Sequence, residues 1–318
     1  MLSLLWDFME SSDSDEDSSS DEDHCREVVV RKARLHDVNS IANISTSSFE
    51  YLDVEDRDWI EGVVRKRSKR ARIHVAVVDD NVVGFILFYK RSDKAYIDAF
   101  AVDPRYRGMG IGRCLLSYVE KLLVGEGVEK LYLTVKNGNG AALGMYIKHG
   151  YRMASTVLIL ESPIDNPDNA YEAIQKPIRV AEIHEALKSK VKLLDTAIWT
   201  NFTWDVDNII YKIIRRDQRN LIIYVGKRLA GVVTISSDKG KTVLERLAVS
   251  YYKPSESVNA IIEAVKSYIK KNALGKTIRI PVDSTKATLL RALVTAGFKI
   301  TDSEYVLYKD LAERREHI

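Results

Sequence analysis

The chain resembles itself at one fixed offset, and this internal repeat constrains its fold more than any other feature of the sequence. Gly84 and Gly231 stand 147 residues apart, each inside a short apolar run that follows a turn. Further pairs share this offset without a gap: Ala101 and Ala248, Val102 and Val249, Val135 and Val282, Gly150 and Gly297, Tyr151 and Phe298. One offset that covers a hairpin, two strands and a helix end predicts two copies of one fold.

Each copy carries the same order of signals, which predicts an α/β fold: a mixed sheet with helices on both faces. In the first copy, strands are predicted at residues 27–32, 72–79, 82–91, 94–102, 130–136 and 152–161, and helices at 36–47, 55–70, 114–124 and 139–149. The predicted organisation is an acidic tail over residues 1–26, a first domain over 27–163, a linker over 164–176 and a second domain over 177–318.

Residues 99–113 read AFAVDPRYRGMGIGR, an apolar strand that breaks at Pro104 and leads through three alternate glycines to a helix start. Gly108, Gly110 and Gly112 have no Cβ atom, so successive backbone N–H groups can approach an anion closely. The helix that follows adds its positive N-terminal end, and the segment is therefore predicted to bind a pyrophosphate. Nearby arginines supply countercharge: Arg105, Arg107 and Arg113.

Two familiar phosphate loops do not fit this segment. A Walker loop ends in Gly-Lys-Ser/Thr, whereas Gly112 is followed by Arg113 and Cys114. A dinucleotide fingerprint places its first glycine directly after the strand with the spacing G-x-G-x-x-G. Here residues 103–107 separate the strand from the first glycine, and the spacing is G-x-G-x-G.

The segment matches V-x-P at Val102 to Pro104 and R-x-x-G-x-G over residues 107–112, and this run resembles the acyl-coenzyme A loop of the GNAT acetyltransferase superfamily. A second segment is similar to that family's motif N-x-x-A-x-x-x-Y-x-x-x-G-aromatic, with Asn139 and Tyr146 two helical turns apart on one helix face. The resemblance implies two tandem GNAT-like domains. The residues alone also leave open that Asn139 merely caps its helix and Tyr146 packs in the core.

By this resemblance, the first copy takes acetyl-coenzyme A as a cosubstrate and needs no metal. Backbone groups of residues 100–102 would hold the pantetheine arm and polarise the thioester carbonyl, and Asn139 would also hold the cosubstrate. The predicted cofactor-binding residues are Phe100, Ala101, Val102, Arg107, Gly108, Met109, Gly110, Ile111, Gly112, Arg113, Asn139 and Tyr146.

Two residues are predicted to be catalytic. An alkylamine of pKa about 10.4 must lose a proton before it attacks a thioester, which costs about 4 to 5 kcal/mol at pH 7. Asp98 stands where many family members carry an acid, and it is either the base or a structural carboxylate. Thr134 replaces the acid that serves as base in the N-terminal and ribosomal-protein branch. Tyr146, with a pKa of about 10, is predicted to protonate a thiolate of pKa about 8.5, uphill by about 2 kcal/mol.

The second copy lacks this chemistry. At the shared offset, Glu256 replaces Met109, and a carboxylate in a pyrophosphate site repels the ligand. Other replacements remove the glycines and both motif residues: Pro254, Ser255, Ser257, Asn259, Lys286 and Leu293. No coenzyme A is expected there. Trp199 and Trp204 either line a ligand pocket in this copy or pack in its core or interface.

The acceptor is predicted to be a primary amine, on a protein or on a small cationic molecule, and its identity stays open. An acidic segment either attracts this cation or is a solvated helix start: Glu50, Asp53, Glu55, Asp56, Asp58 and Glu61. The basic run after it either contacts coenzyme A, an acidic substrate or RNA, or is a solvated helix end: Arg65, Lys66, Arg67, Lys69, Arg70 and Arg72.

Charge is distributed unevenly along the chain. Residues 1–25 hold nine acids and no Lys or Arg, so the 45 acids of the chain leave 36 against 48 Lys and Arg in the body, a difference of +12. The Ser/Asp/Glu-rich tail is predicted to be disordered, as a solubilising tail or as a competitor of anionic ligands. Nucleic acid is not an expected partner, because only the basic body favours it.

No apolar run approaches the roughly 20 residues of a membrane span, and the first residues do not read as a signal peptide. We therefore expect a cytoplasmic protein without a membrane partner. Cys25 and Cys114 are too few for a disulfide framework, and Cys114 is expected to pack in the first turn of its helix. The oligomeric state is open.

Together these features predict an N-acetyltransferase that transfers an acetyl group from acetyl-coenzyme A to a primary amine. The alternative is a non-catalytic acyl-coenzyme A sensor or adaptor, which would bind the thioester without releasing its thiol.

Overall fold

A computed structural model defines the fold over residues 25–48, 50, 56–165, 176–182, 200, 205, 206, 209, 218–238 and 240–312. The chain divides into two compact units, Met1–Glu129 with Leu311–Ile318, and Lys130–Asp310. Residues 1–24 of the predicted acidic tail lie outside the described residues, and so do Trp199 and Trp204.

The described residues of the first unit form four consecutive strands, each antiparallel to the next: β1 (Val29–Lys32), β2 (Ala71–Val78), β3 (Asn81–Arg91) and β4 (Lys94–Val102). Helices α1 (Val38–Ser47) and α2 (Arg57–Lys66) lie between β1 and β2 in the chain, and α3 (Ile111–Gly125) follows β4. Residues 83–89 of β3 are all buried, because a strand covered on both faces carries a continuous apolar run.

In the second unit, the strands that the structure describes lie side by side in the order β5-β12-β6-β11-β10-β9-β8-β7. In chain order its elements are β5 (Lys130–Lys136), α4 (Gly140–Lys148), β6 (Arg152–Pro163), β7 (Ile178–Glu182), β8 (Gln218–Val225), β9 (Arg228–Asp238), β10 (Lys241–Val249), α5 (Pro254–Asn272), β11 (Thr277–Asp283), α6 (Ala287–Thr295) and β12 (Lys299–Asp310). Strands β10 and β11 are parallel, and the other pairs are antiparallel. The prediction of a mixed sheet is confirmed.

The described elements repeat at the offset that the sequence predicts. Strands β2 to β6 reappear as β8 to β12 with every bound shifted by 147 residues, and α4 reappears as α6 with the same shift. The strand register repeats as well, since Gly84 faces Val102 and Gly231 faces Val249. The chain therefore folds as two tandem copies of one α/β architecture, called here the first and second repeat.

The two repeats exchange their last strands. Strand β12 of the second repeat lies between β5 and β6 of the first repeat and is antiparallel to both. In return, β6 of the first repeat pairs with β11 of the second repeat. The compact units consequently do not follow the repeat boundaries at residues 163 and 177, which stay a prediction.

A disulfide joins Cys25 to Cys114, with the two Cα atoms 5.6 Å apart. Cys25 lies in a 3-10 turn, Cys25–Glu27, just before β1, and Cys114 lies in the first turn of α3. The expectation that Cys114 only packs in its helix is wrong. The two cysteines are 89 positions apart in the sequence, and their proximity is not visible there because strand pairing and helix packing produce it.

Candidate active site

The segment that leaves β4 is held in place by its own side chains. Asp103 begins the 3-10 turn Pro104–Tyr106, because its carboxylate accepts a hydrogen bond from the Arg105 N–H. The Arg105 guanidinium also binds this carboxylate, at 2.8 Å, and lowers the pKa of Asp103. Arg107 donates to the Val102 carbonyl and to the Ser48 hydroxyl, both at 3.1 Å. Two of the predicted countercharges therefore make contacts that fix the loop.

The glycine loop after Arg107 is open and left-handed. Gly108 has φ +80° and Gly110, which precedes α3, has φ +73°, conformations that residues with a Cβ atom rarely adopt. Among the described residues, no backbone carbonyl accepts a hydrogen bond from the N–H groups of residues 108–112, and the first such bond runs from Cys114 to Gly110. A Cβ atom built on Gly108 would meet nothing within 4 Å. These groups fit an anion such as a pyrophosphate.

The matching segment of the second repeat has a different structure. Helix α5 begins at Pro254, which corresponds to position 107 in the first repeat, so it starts one turn earlier than α3. Arg228 binds the Ser257 hydroxyl at 2.7 Å and the Glu256 carboxylate at 3.1 Å. Burial opposes this ionisation, but Arg228 and Lys253 hold the pKa of Glu256 below its ordinary value. A helical turn and an internal ion pair thus replace the open loop.

Asp98 lies in a β-bulge of β4. The pairing of β4 with β3 steps from Leu87 opposite Ala99 to Phe88 opposite Ile97, which leaves Asp98 as the extra residue. Its carboxylate accepts a hydrogen bond of 2.9 Å from the Tyr89 hydroxyl. Sequence reasoning missed Tyr89, whose proximity to Asp98 depends on the bulge. Both roles for Asp98, base and structural carboxylate, stay open.

Asn139 and Tyr146 belong to the second compact unit. The Asn139 side chain accepts a hydrogen bond of 3.1 Å from the Ala142 N–H and so caps α4. Tyr146 is only 6% exposed, and burial raises the pKa of its hydroxyl. Its ring meets the Tyr151 ring edge-on, with centroids 5.5 Å apart. These contacts fit the interpretation in which Asn139 caps its helix and Tyr146 packs in the core.

The charged segments near α2 are largely paired. Glu61 binds Arg65 at 2.7 Å and Arg57 at 3.2 Å along one helix face. Arg72, from the basic run, is buried in β2 and forms a two-pronged ion pair with Glu126. Asp53 and Glu55 lie outside the described residues. The acidic residues that are described and exposed near this helix are Glu50, Asp56 and Asp58.

In the part of the chain that the structure describes, no group of three or more His, Cys, Asp or Glu side chains is arranged to hold a metal ion. No helix in the same part is long and apolar enough to cross a membrane.

Known proteins resemble both the first repeat and the whole fold. Residues 35–151 match the model of the Acetyltransferase (GNAT) family. An acetyltransferase of Sodalis glossinidius is 38% identical over 86 residues, which are 27% of this chain and 61% of that protein. A spermidine N(1)-acetyltransferase of Thermoplasma acidophilum is 21% identical over 146 residues, 41% of this chain and 91% of that protein. The first acetyltransferase relatives are matched over 60% or 61% of their own length.

The tandem arrangement also has a counterpart among solved structures. A tandem GNAT protein from the clavulanic acid biosynthesis pathway superposes with a TM-score of 0.63 at 12% identity, over 90% of this chain and 99% of that chain. At this identity the likeness concerns the fold, and it agrees with the repeat seen in the element bounds.

Proposed function

We propose that this chain, whose residues 35–151 match the model of the GNAT family and whose elements repeat as two tandem copies of one fold, is an N-acetyltransferase. It transfers an acetyl group from acetyl-coenzyme A to a primary amine, and the first repeat carries the reaction. The observation that supports this most is the open glycine loop of the first repeat, whose N–H groups have no backbone acceptor among the described residues. The second repeat, with a helical turn at that place, does not bind coenzyme A.

The loop residues bind the cosubstrate through main-chain groups. The N–H groups of Gly108 to Gly112 and the positive end of α3 hold the pyrophosphate. The contact between Arg107 and Ser48 keeps the loop attached to the end of α1. Backbone groups of residues 100–102 and the amide of Asn139 complete the proposed binding set.

The reaction needs one group that accepts a proton and one that donates it. The amine nitrogen attacks the thioester carbon, and its proton leaves to the Asp98 carboxylate or to a water path. As the C–S bond breaks, the Tyr146 hydroxyl gives a proton to the departing sulfur and is reprotonated from water, to which the proton taken from the amine is released. Burial of Tyr146 opposes formation of a free phenolate, which favours transfer through a hydrogen bond over full ionisation.

The proposed acceptor is a cation before it reacts. A polyamine, a lysine side chain or a protein N-terminus satisfies this requirement, and the exposed carboxylates Glu50, Asp56 and Asp58 would attract each of them. The similarity to a spermidine acetyltransferase supports testing polyamines first.

Thiol release with a panel of amines tests the proposal. Purified protein is incubated with acetyl-coenzyme A and spermidine, a lysine peptide or a peptide with a free N-terminus, and coenzyme A binding is measured separately by calorimetry. We expect binding together with amine-dependent thiol release. Binding without thiol release from any acceptor would identify the sensor or adaptor instead, and absence of binding would refute both functions.

A further inference from the structure

We propose that Lys309, carried by the last strand of the second repeat, is a positioning residue for Tyr146 of the first repeat. This inference rests on the proposed function, because it assigns Lys309 a role in the reaction that Tyr146 serves. It also gives the degenerate second repeat a task at the catalytic centre.

The contact chain from Lys309 to Tyr146 passes through Tyr151. The Lys309 ammonium lies over the face of the Tyr151 ring, with Nζ 5.5 Å from the ring centroid, and Lys309 is 7% exposed. The Tyr151 ring meets the Tyr146 ring at 62°, with centroids 5.5 Å apart. A cation over one ring face and an edge-on neighbour each favour a defined ring orientation, so Lys309 restricts Tyr151, and Tyr151 restricts Tyr146.

Gly150 lies next to the Lys309 side chain at the end of α4. It has φ +85°, and a Cβ atom built on it would be in ordinary van der Waals contact with Lys309 Cε, 3.6 Å away. The next residue, Tyr151, donates its backbone N–H to the Tyr146 carbonyl at 3.0 Å. The helix end thus holds the backbone of Tyr151 next to that of Tyr146, with the lysine side chain beside it.

The strand exchange is what delivers Lys309 to this place. Lys309 lies on β12 opposite Leu131 of β5, in the first repeat. If β12 paired only with strands of its own repeat, Lys309 would not lie next to Tyr151.

The second repeat provides an internal comparison. At the shared offset, Leu293 replaces Tyr146, Phe298 replaces Tyr151, and Ser162 of the exchanged strand β6 replaces Lys309. All three replacements are buried, so the equivalent place beside the second repeat is packed without a charged side chain. Across the two equivalent places, the lysine stands only beside the tyrosine that has a proposed chemical role, and this coincidence indicates a role in the reaction.

Substitution of Lys309 in the full chain tests this role. Lys309→Met keeps the apolar stem without the charge, Lys309→Arg restores the cation, and Ser162→Ala alters the equivalent place of the other repeat. We expect Lys309→Met to lower kcat for thiol release by about 10- to 100-fold, because small misplacements of a reacting group have effects of this size. Its coenzyme A Kd should stay within about twofold of the wild-type value, Lys309→Arg should recover most of kcat, and Ser162→Ala should keep it.

Other outcomes overturn the proposal. A wild-type kcat in Lys309→Met, or equal losses of kcat and coenzyme A binding, would show that Lys309 has only a structural role in packing. If Lys309→Met does not fold, Tyr151→Leu interrupts the same contact chain and must show the same separation of kcat from Kd. Failure of the proposed function is distinguishable, because wild-type protein would then release no thiol at all, and the role of Lys309 would fall with it.

Discussion

Gly231 is more tightly enclosed than Gly84, although the two glycines hold the same register in their repeats. A Cβ atom on Gly231 would lie 2.4 Å from the Ala248 carbonyl oxygen and 2.4 Å from Ile261 Cδ1, whereas one on Gly84 would lie 3.2 Å from the Ala101 oxygen. The same position in the strand pair therefore requires glycine in the second repeat and only favours glycine in the first.

Alanine at these two positions tests the enclosure. Gly231→Ala should lower the free energy of unfolding by about 2 to 3 kcal/mol, because the Ala248 oxygen belongs to the backbone and cannot turn away. Gly84→Ala should lower the free energy of unfolding by less than about 1 kcal/mol. The neighbouring Ala101 oxygen has to shift by only a few tenths of an ångström, and alanine restricts the unfolded chain more than glycine does. Urea unfolding monitored by circular dichroism measures both, and equal losses would contradict the prediction.

Much of the fold could be predicted because its signals are local. The strand expected at residues 94–102 and the one at 130–136 have these bounds, and the helix expected at 139–149 spans Gly140–Lys148. Each is an apolar run between turn residues, which neighbouring side chains suffice to define. The fixed offset then carried these assignments into the second repeat.

The exchange of last strands could not be predicted from the same signals. Strands β6 and β12 occupy equivalent places in two similar repeats, so both have patterns suited to pair with β5. The choice depends on long-range packing, and with it the approach of Lys309 to Tyr151. The disulfide of Cys25 and the bulge at Asp98 are also set by contacts or register that no local pattern reports.

Met109 allows the anion loop to be tested with a change that the second repeat already contains. Its side chain is 55% exposed at the loop, and Glu256 holds the equivalent position. Met109→Glu should weaken coenzyme A binding by about 10-fold or more, because a carboxylate beside the pyrophosphate repels it. Met109→Gln has nearly the same shape and should bind within about threefold of wild type. Calorimetry at low salt distinguishes the two variants, and equal affinities would argue against a pyrophosphate at this loop.

Tyr146→Phe tests the proposed proton donor. Phenylalanine keeps the edge-on contact with Tyr151 and removes only the hydroxyl, so coenzyme A affinity should change by less than about twofold. The kcat for thiol release should fall by about 100-fold or more, as expected when a general acid is lost. Tyr132→Phe is the matched control, since Tyr132 is another buried tyrosine, with its hydroxyl on Asp205, and kcat should persist. Parallel losses of kcat and affinity in Tyr146→Phe would rule out the assigned role.

His74 should make the protein sensitive to mild acid. Its imidazole is 5% exposed and stacks on Phe88, and burial, followed by the charges of Arg72 and Lys32, lowers its pKa to about 4, against the opposing effect of Glu126. The unfolded chain takes up this proton near pH 6.5, whereas the folded chain takes it up only near pH 4. The contribution of neutral His74 to the free energy of unfolding is therefore fully present above pH 6.5. It is lost as the pH drops toward 4, by up to about 3 kcal/mol.

His74→Phe removes this titration while it keeps a stacked ring. Between pH 7 and pH 4.5, wild-type protein should lose about 2 kcal/mol more unfolding free energy than the variant does. Acid effects from Glu126 and Asp37, whose pKa values are lowered by their ion pairs, are common to both proteins and cancel in the comparison. Identical pH dependence would show that His74 is not responsible.

The bond between Cys25 and Cys114 joins residues 89 positions apart and encloses β1 to β4, and it should stabilise the oxidised protein by restricting the unfolded chain. For a loop of this length the entropic effect is at most about 4 to 5 kcal/mol, and about 2 to 4 kcal/mol is typical. Cys25→Ser and Cys114→Ser should each lower the unfolding free energy by that typical amount. The double variant should lose no more than either single one, because one bond is removed in every case. Additive losses, or thiol alkylation of the native unreduced protein detected by mass spectrometry, would mean that the two sulfurs act separately.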